Sequence, residues 1–409
     1  MLQTPYLTAQ EAATELGVKL PTLYAYVSRG LIRSEAMGND PRERRYSAED
    51  VKRLKERQEQ RHDPARAVAG ALDWGVPLLE SSLTLISEGK LYYRGYDAMM
   101  LASQHSVEEV ASLLWEGNFG AEINGLNKPI AKSVQARMEK LIVQGQAYPL
   151  LETFQMALLI LASEDPAAYD LRPSAVEQTG GRILRLLTAV AAQKVGTDGI
   201  AQTLAQSWIP RQQSRVAPLL NAALILLADH EFNVSSFTAR CVASAGATPY
   251  EVVVAGLAAL QGAKHGGAVN RVEALLDEVQ KPVHAGRVLS RRLRHGEDIP
   301  GFGHRLYPEG DPRAHLLLEL MADTFPRSSA LSLSNAVVNE AKSLIGEEPN
   351  SDFALAILAR LLSLPEGYGQ GIFALARTVG WLAHALEQYR SDRLIRPRAR
   401  YIGNLPHAG

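Results

Sequence analysis

Between residues 152 and 386 the chain returns five times to long apolar stretches, and these constrain its fold more than any other feature. They are ETFQMALLILA (152–162), VAPLLNAALILLA (216–228), YEVVVAGLAAL (250–260), SDFALAILARLL (351–362) and GIFALARTVGWLAHAL (371–386). Apolar residues spaced three and four apart mark helices, and stretches apolar on most faces belong inside a large helical core. No strand–helix alternation accompanies them and no G-x-G-x-x-G follows a strand, so a dinucleotide-binding α/β fold is not expected. No fixed-period repeat is present either. The one convincing β signal is SLTLISEGKLYYRG (82–95), where two short runs flank Glu88-Gly89 as in a hairpin. Ser106 and Glu109 have the capping-box spacing that opens a helix. The expected class is all-α: a mostly helical body with one small β-hairpin.

The 409 residues exceed one ordinary core, so two or three domains are expected. A hydrophobic share of 46% supplies ample core material. Lys+Arg at 43 against Asp+Glu at 44 gives a net charge of −1, which excludes a chain that grips nucleic acid by bulk attraction. A lone cysteine, Cys241, fits a reducing cytosol and excludes Cys-rich metal sites. No apolar run approaches the roughly 20 residues that span a bilayer. The first residues lack a basic and an apolar leader region, so no secretory signal is expected. A cytoplasmic protein without membrane contact follows.

Composition shifts near residues 62–71, from the charged KRLKERQEQRHDPAR to an Ala- and Leu-rich remainder. Pro64 disfavours helix at the residue before it. The expected organisation is a head over 1–62, a linker over 63–71 and a body over 72–409. Residues 1–66 carry a net +2 and the remainder −3.

In the head, Thr8 and Glu11 make a capping box, which predicts a helix from about Ala9 to Leu16. Gly17 allows a tight turn, Pro21 opens a second helix at its first position, and Gly30 closes it. Leu7, Ala12, Leu16, Val18, Leu23, Val27 and Leu31 could share one small core. Helix, Gly turn, helix is the helix-turn-helix pattern. The outer face of its second helix carries Lys19, Thr22, Tyr24, Tyr26, Ser28 and Arg29, types that contact phosphates and base edges. GNDPRERRYSAEDVKRL (38–54) then leads through a turn to Arg42, Arg44 and Arg45, with Ser47 capping the next helix. This segment resembles the winged helix-turn-helix head of the MerR family, whose wing carries a similar Arg-Arg-Tyr-Ser. The resemblance implies DNA binding through Thr22, Tyr24, Arg29, Arg42, Arg44 and Arg45. The residues alone also allow a helical packing module used for protein contacts. MerR proteins dimerise through a long helix after the head, and KRLKERQEQRH is short, so any dimer must come from the body.

Three histidine motifs mark the second half: ALILLADHEFNVSSFTAR (223–240) with His230, LQGAKHGGAVNRV (260–272) with His265, and DIPGFGHRLYPEGDPRA (298–314) with His304 and Arg313. His265 and His304 sit in Gly-lined loops, where backbone approaches a ligand closely. Histidine and a carboxylate are the usual proton-transfer pair. Arg313, Arg377 and Arg396 offer forks that bind carboxylates bidentately. Such a set suits a small polycarboxylate undergoing proton transfer. His62, His105, His284, His295, His315, His384 and His407 are read as core or surface residues. No metal site is expected, since the histidine spacings match none and no cysteines join them.

The order ADHE, HGGA, PGFGHRLYP with DPRA, NSDF, ARTVGW and RPRARYIG, with YYRGYD (92–97) early, resembles the citrate synthase family over residues 70 to 405. That resemblance implies a mostly helical dimer, or a higher homo-oligomer, whose large domain and smaller mobile one (roughly 265–370) close over substrate. It implies acetyl-CoA as co-substrate and oxaloacetate as acceptor, with no metal and no permanently bound cofactor. Asp352 would remove the acyl proton, His265 stabilise the enol oxygen, and His304 polarise the oxaloacetate carbonyl. His230, Arg313 and Arg377 would bind oxaloacetate, Arg396 would reach across from the second subunit, and Gly301, Phe302 and Gly303 would approach coenzyme A. The chain departs from the family at Ala263, where Pro is usual, and at Phe353-Ala354-Leu355-Ala356, where small polar residues are. Two alternatives stay open. One is a 2-methylcitrate-type synthase using propionyl-CoA; the other is a transcriptional regulator with a metabolite-sensing, synthase-like domain.

Overall fold

Thr8 opens the first helix of the chain: its hydroxyl accepts from the Glu11 amide while the Glu11 carboxylate accepts from the Thr8 amide. This is a helix α1 over Ala9–Glu15 in the computed structural model, which describes residues 6–29, 31–37, 40–48, 50–51, 54, 79–119, 132–145, 148–196, 198–399 and 401–404. The chain divides into two units, 1–80 and 81–409. The expected linker at 63–71, with Pro64, lies outside the described residues, as does Gly30.

In the first unit, Gly17 (φ +63°) turns the chain into α2 (Leu20–Ser28). Lys19 is the N-cap, so Pro21 occupies the second helical position, not the first. Strands β1 (Tyr6–Leu7), β2 (Ser34–Met37) and β3 (Asp40–Ser47) form an antiparallel sheet in the order β1-β3-β2. Ala12, Ala13, Leu16, Leu23, Ile32, Tyr46 and Val51 are its core, with Leu7, Val18, Tyr26 and Val27 packed beside it. Two expectations change here. Leu31 is 41% exposed and Ile32 takes its place, because the turn after α2 points the following residue inward. Tyr26 is half-buried against the core, not presented on the outer face. The Ser47 hydroxyl accepts from the Asp50 amide at 3.3 Å, and Asp50 grips Arg33 through Nε (2.8 Å) and Nη2 (3.1 Å).

The second unit begins with β4 (Thr84–Ser87), β5 (Lys90–Tyr93) and β6 (Tyr96–Asp97), an antiparallel meander. Glu88 and Gly89 both have positive φ, as do Arg94 and Gly95, the requirement for two-residue turns that match strand twist. The expected hairpin is therefore extended by a third strand, whose brevity hid it. Helices α3 (Ala98–Gln104) and α4 (Val107–Glu116) follow, α4 opened by the reciprocal Ser106–Glu109 cap.

The remaining helices are α5 (Lys132–Gly145), α6 (Leu150–Ala162), α7 (Pro173–Ala192), α8 (Ile200–Trp208) and α9 (Gln213–Leu226). Next come α10 (Val234–Ser244), α11 (Pro249–Leu260), α12 (Ala268–Val279) and α13 (Ala285–Arg294). The last four are α14 (Pro312–Thr324), α15 (Ser329–Ile345), α16 (Ser351–Leu361) and α17 (Tyr368–Ser391). All five apolar stretches lie in helices, except that Leu227-Ala228 and Leu362 fall just beyond the ends of α9 and α16. The 24-residue α17 is buried along most of its length and packs against α4, α6, α7, α9, α10, α11, α12 and α16. Glycine lets it do so: a Cβ on Gly256 would stand 2.5 Å from the Trp381 indole, and one on Gly380 2.5 Å from Asp229 Oδ1. No helix among the described residues is long and apolar enough to cross a membrane.

Candidate active site

Most of the motif residues lie at helix ends and in connectors, and there they meet Arg377 of α17. His230 follows α9 in a connector whose next residue, Glu231, has φ +50°. His265 lies in the turn between α11 and α12, and His304 in the loop before α14. Arg313 and Asp352 occupy the first turns of α14 and α16, and Arg377 sits within α17. Packing explains Gly266, whose Cβ would meet Leu260 Cδ1 at 2.6 Å, so this glycine closes the turn.

The two α-helix starts are fastened together by Asp311. Its carboxylate accepts from Arg313 Nε (2.9 Å) and Nη2 (2.8 Å), caps α14 through the Arg313 amide (3.0 Å), and accepts from the Ser351 amide (3.0 Å). Asp311 is 1% and Arg313 3% exposed, so this is a buried bidentate pair. Although its burial works the other way, the Asp311 charge holds the Arg313 guanidinium above its ordinary pKa. Asn350 caps α16 by accepting from the Asp352 amide at 3.1 Å, and its own side-chain amide donates to the Gly303 carbonyl at 3.1 Å. Burial pushes the Asp352 carboxyl up to about 7, with the charges of Arg313 and Arg377 partly opposing.

His230 Nε2 lies 3.0 Å from the Tyr307 hydroxyl, and the His230 and His304 rings stand 5.2 Å apart, edge to face. His304 Nδ1 accepts the Leu306 amide at 3.2 Å, which leaves the neutral ring's proton on Nε2. Burial, then the charge of Arg313, pushes His304 down to about 4. Burial and the nearby Arg313, Arg377 and His304 hold His230 far below its ordinary value. His265 Nε2 lies 2.8 Å from Ser235 Oγ, whose hydroxyl donates to Asn233 Oδ1 at 2.8 Å. Burial and then Arg377 push His265 down to about 4. Arg377 donates through Nε to the Leu227 carbonyl at 2.8 Å and stacks 4.8 Å over Phe373. Burial lowers it to about 10. All three histidines are therefore neutral near pH 7, beside two buried cations and a carboxyl poised to change charge.

The structure thus gathers His230, His265, His304, Arg313, Arg377 and Asp352. It does not bring in Arg396, which is exposed on the irregular segment after Ser391. Gly301 (φ +89°) and Gly303 (φ +74°) have a packing reason of their own. A Cβ on Gly301 would meet Val272 Cγ2 at 2.7 Å, and Phe302 pairs with Pro349 as an isolated bridge. Asp311, Tyr307, Ser235 and Asn233 were not singled out from the sequence. The acid two residues before Arg313 was the available signal, because an N-cap aspartate there can fork onto the arginine. Among the described residues, no three His, Cys, Asp or Glu side chains are arranged to hold a metal.

In the first unit, Thr22 and Tyr24 are exposed on α2, Arg29 at its C-cap, and Arg44 and Arg45 on β3. The Arg42 side chain lies outside the described residues. Arg45 bonds Glu35 (3.2 Å) and stacks 4.4 Å over the Tyr6 ring, while Arg44 donates to the Ser34 carbonyl at 3.3 Å.

Comparison with known proteins accounts for both units. Residues 6–59 match a family described as a helix-turn-helix domain, and residues 70–398 match the citrate synthase C-terminal domain. Citrate synthase 2 of Bacillus subtilis (strain 168) is 33% identical over 356 residues, covering 80% of this chain and 94% of the relative. The 2-methylcitrate synthase 2 of Corynebacterium glutamicum is 29% identical over 341 residues, covering 76% and 88%. The crystal structure of citrate synthase from Thermotoga maritima MSB8 superposes with a TM-score of 0.69 at 25% identity, covering 82% of this chain and 96% of that one. The chain belongs to the citrate synthase family, as a citrate synthase-like acyltransferase carrying an N-terminal helix-turn-helix domain.

Proposed function

We propose that this chain condenses acetyl-CoA with oxaloacetate to give citrate and CoA, without a metal or a permanently bound cofactor. The observation that carries this reading is the pairing of a carboxyl at about 7, Asp352, with neutral histidines and two buried arginines. A thioester α-proton is weakly acidic, so its removal needs a base near neutrality and donors aimed at the developing enolate oxygen. Asp352 takes the proton. His265 donates to the enol oxygen from Nδ1 once the Ser235 hydroxyl, which here donates to Asn233 Oδ1 at 2.8 Å, rotates to donate to His265 Nε2, also 2.8 Å away. The enol carbon attacks the oxaloacetate ketone, whose oxygen receives the His304 Nε2 proton. Water then cleaves the thioester and releases the CoA thiol. His230, Arg313 and Arg377 hold the two oxaloacetate carboxylates, and Gly301, Phe302 and Gly303 line the approach of coenzyme A.

In this reading residues 265–370 move as the smaller domain, and closure excludes water before condensation. The active assembly is at least a homodimer, with Arg396 serving the other subunit's site. The head, bounded near residue 62, binds DNA. The setting is the cytoplasm, where acyl-CoA and DNA are both at hand. A thiol-release assay across acyl-CoA and 2-oxoacid pairs tests the reaction. Undetectable CoA release with intact oxaloacetate binding would overturn it.

Propionyl-CoA is the second acyl donor to weigh, because relatives named as 2-methylcitrate synthases match at similar identity to those named as citrate synthases. Comparing kcat/KM for the two thioesters decides between them. A regulator with a sensing body is favoured only by the head; turnover lost in Asp352→Asn counts against a pure sensor.

A further inference from the structure

His384, which the sequence presents as one more core or surface residue, faces the carboxylate beside the substrate histidine. Its Nε2 lies 3.2 Å from Asp229 Oδ1, at ion-pair distance, and both side chains are fully buried. The other Asp229 oxygen accepts from the Thr84 hydroxyl at 2.5 Å. The connector that carries His230 is thus held from two sides. On one side the Tyr93 hydroxyl bonds the Ile225 and Asp229 carbonyls (3.0 and 3.1 Å). On the other, α17 donates from Arg377 to the Leu227 carbonyl and from the Gly380 amide to the Ala228 carbonyl (3.1 Å), and then sets the His384 ring against the Asp229 carboxylate at 3.2 Å. Three successive residues of the connector, 227 to 229, each meet one α17 residue, so Arg377 and His230 take their relative positions from this seam.

We infer that the Asp229–His384 pair is a positioning element for the oxaloacetate subsite, fixing His230 against Arg377 without touching substrate. The inference rests on the functional reading above. Removing the His384 ring takes away one of the three α17 ties to the connector and leaves Asp229 with its Thr84 bond, its charge facing Arg377, and both effects weaken binding of a dianion. The 301–303 loop proposed for coenzyme A packs instead on Val272 of α12 and Phe353 of α16.

The test compares His384→Leu, His384→Gln, which keeps a donor where Nε2 lies, and Leu204→Ala, a core truncation in α8 away from the seam. In His384→Leu the KM for oxaloacetate should rise at least tenfold while that for acyl-CoA stays within twofold; His384→Gln should recover to within threefold of wild type. Leu204→Ala should lose thermal stability and leave both KM values unchanged. An unchanged oxaloacetate KM in folded His384→Leu, or both KM values rising together, overturns the inference. Histidine-labelled NMR gives an independent readout: the His230 ring signal should shift in His384→Leu and return in His384→Gln. An unmoved ring also overturns the inference, and this readout holds even if wild-type protein releases no CoA, which would sink the functional reading instead.

Discussion

Asp352 and the histidines around it are displaced in opposite senses by one cause. Burial disfavours charge, so it raises the aspartate to about 7 and lowers His265 and His304 to about 4. Activity should therefore rise with pH as Asp352 deprotonates near 7, with the histidines already neutral, and Asp352→Asn should cut turnover about 10²–10⁴-fold. The same shift makes a stability prediction. A free aspartate loses its proton near 3.9, so between about pH 4 and 7 the folded state holds a proton that the unfolded state has lost, and stability falls as pH rises through that window. Asparagine has no charge to bury. Asp352→Asn should be more stable than wild type at pH 8, by at most about 4 kcal/mol at 1.4 kcal/mol per pKa unit, and the gap should close near pH 4. Urea unfolding at both pH values measures it; a gap that ignores pH contradicts the assigned burial. At this scale the residues legible in the sequence were those in motifs. Asp311, Ser235 and Asp229 stand in the same motifs and were still not legible, because each acts by holding another residue, and such partnerships depend on which helix ends the fold brings together.

Helix by helix, apolar periodicity identified the elements well, and its failures share a physical form. The third strand of the meander has two residues, too few for an alternation to register, and was set instead by the positive φ of Arg94 and Gly95. Leu31 and Ile32 are equally apolar, so composition could not say which faces the core of the first unit; the turn after α2 decided it. Nor does a pattern of apolar residues reveal which glycines in α17 are contact points. Gly380 is one: its amide bonds the Ala228 carbonyl at 3.1 Å, and a Cβ would also stand 2.5 Å from Asp229 Oδ1. In an open helix, alanine for glycine would stabilise by up to about 1 kcal/mol. Here the methyl must displace backbone and a buried carboxylate, so Gly380→Ala should destabilise by about 1–3 kcal/mol, the usual cost of overpacking. Chemical denaturation measures the sign. A stabilised Gly380→Ala would mean that α17 does not seat on the 227–230 connector.

For the whole molecule, the net charge of −1 averages a +2 segment over residues 1–66 with a −3 remainder, and only the division into two units makes the first figure meaningful. Bulk attraction to DNA is excluded, so any binding must come from a few placed cations. Consecutive residues of a strand face opposite ways, and Arg44 and Arg45 differ accordingly. Arg45 is engaged by Glu35 and stacks on Tyr6, which joins β3 to both of its neighbours. Arg44 shares the face of Tyr46, near Tyr24 of α2, and donates a long bond to the Ser34 carbonyl. If the head grips DNA, the two substitutions should not behave alike. Arg44→Ala removes a phosphate contact: affinity should drop at every sequence tested, and the slope of log K against log salt should fall by about 1. Arg45→Ala removes a brace, so its loss of affinity should grow with temperature while the slope at low temperature stays near that of wild type. Fluorescence anisotropy of full-length protein on genomic fragments between 50 and 200 mM salt, the range over which phosphate contacts cost about 10³–10⁵ in other proteins, separates the two. Identical slopes for wild type and Arg44→Ala would remove Arg44 from the interface. Absence of binding to any fragment at low salt would leave the head a packing module, and the net charge would then be the better guide to this chain's partners.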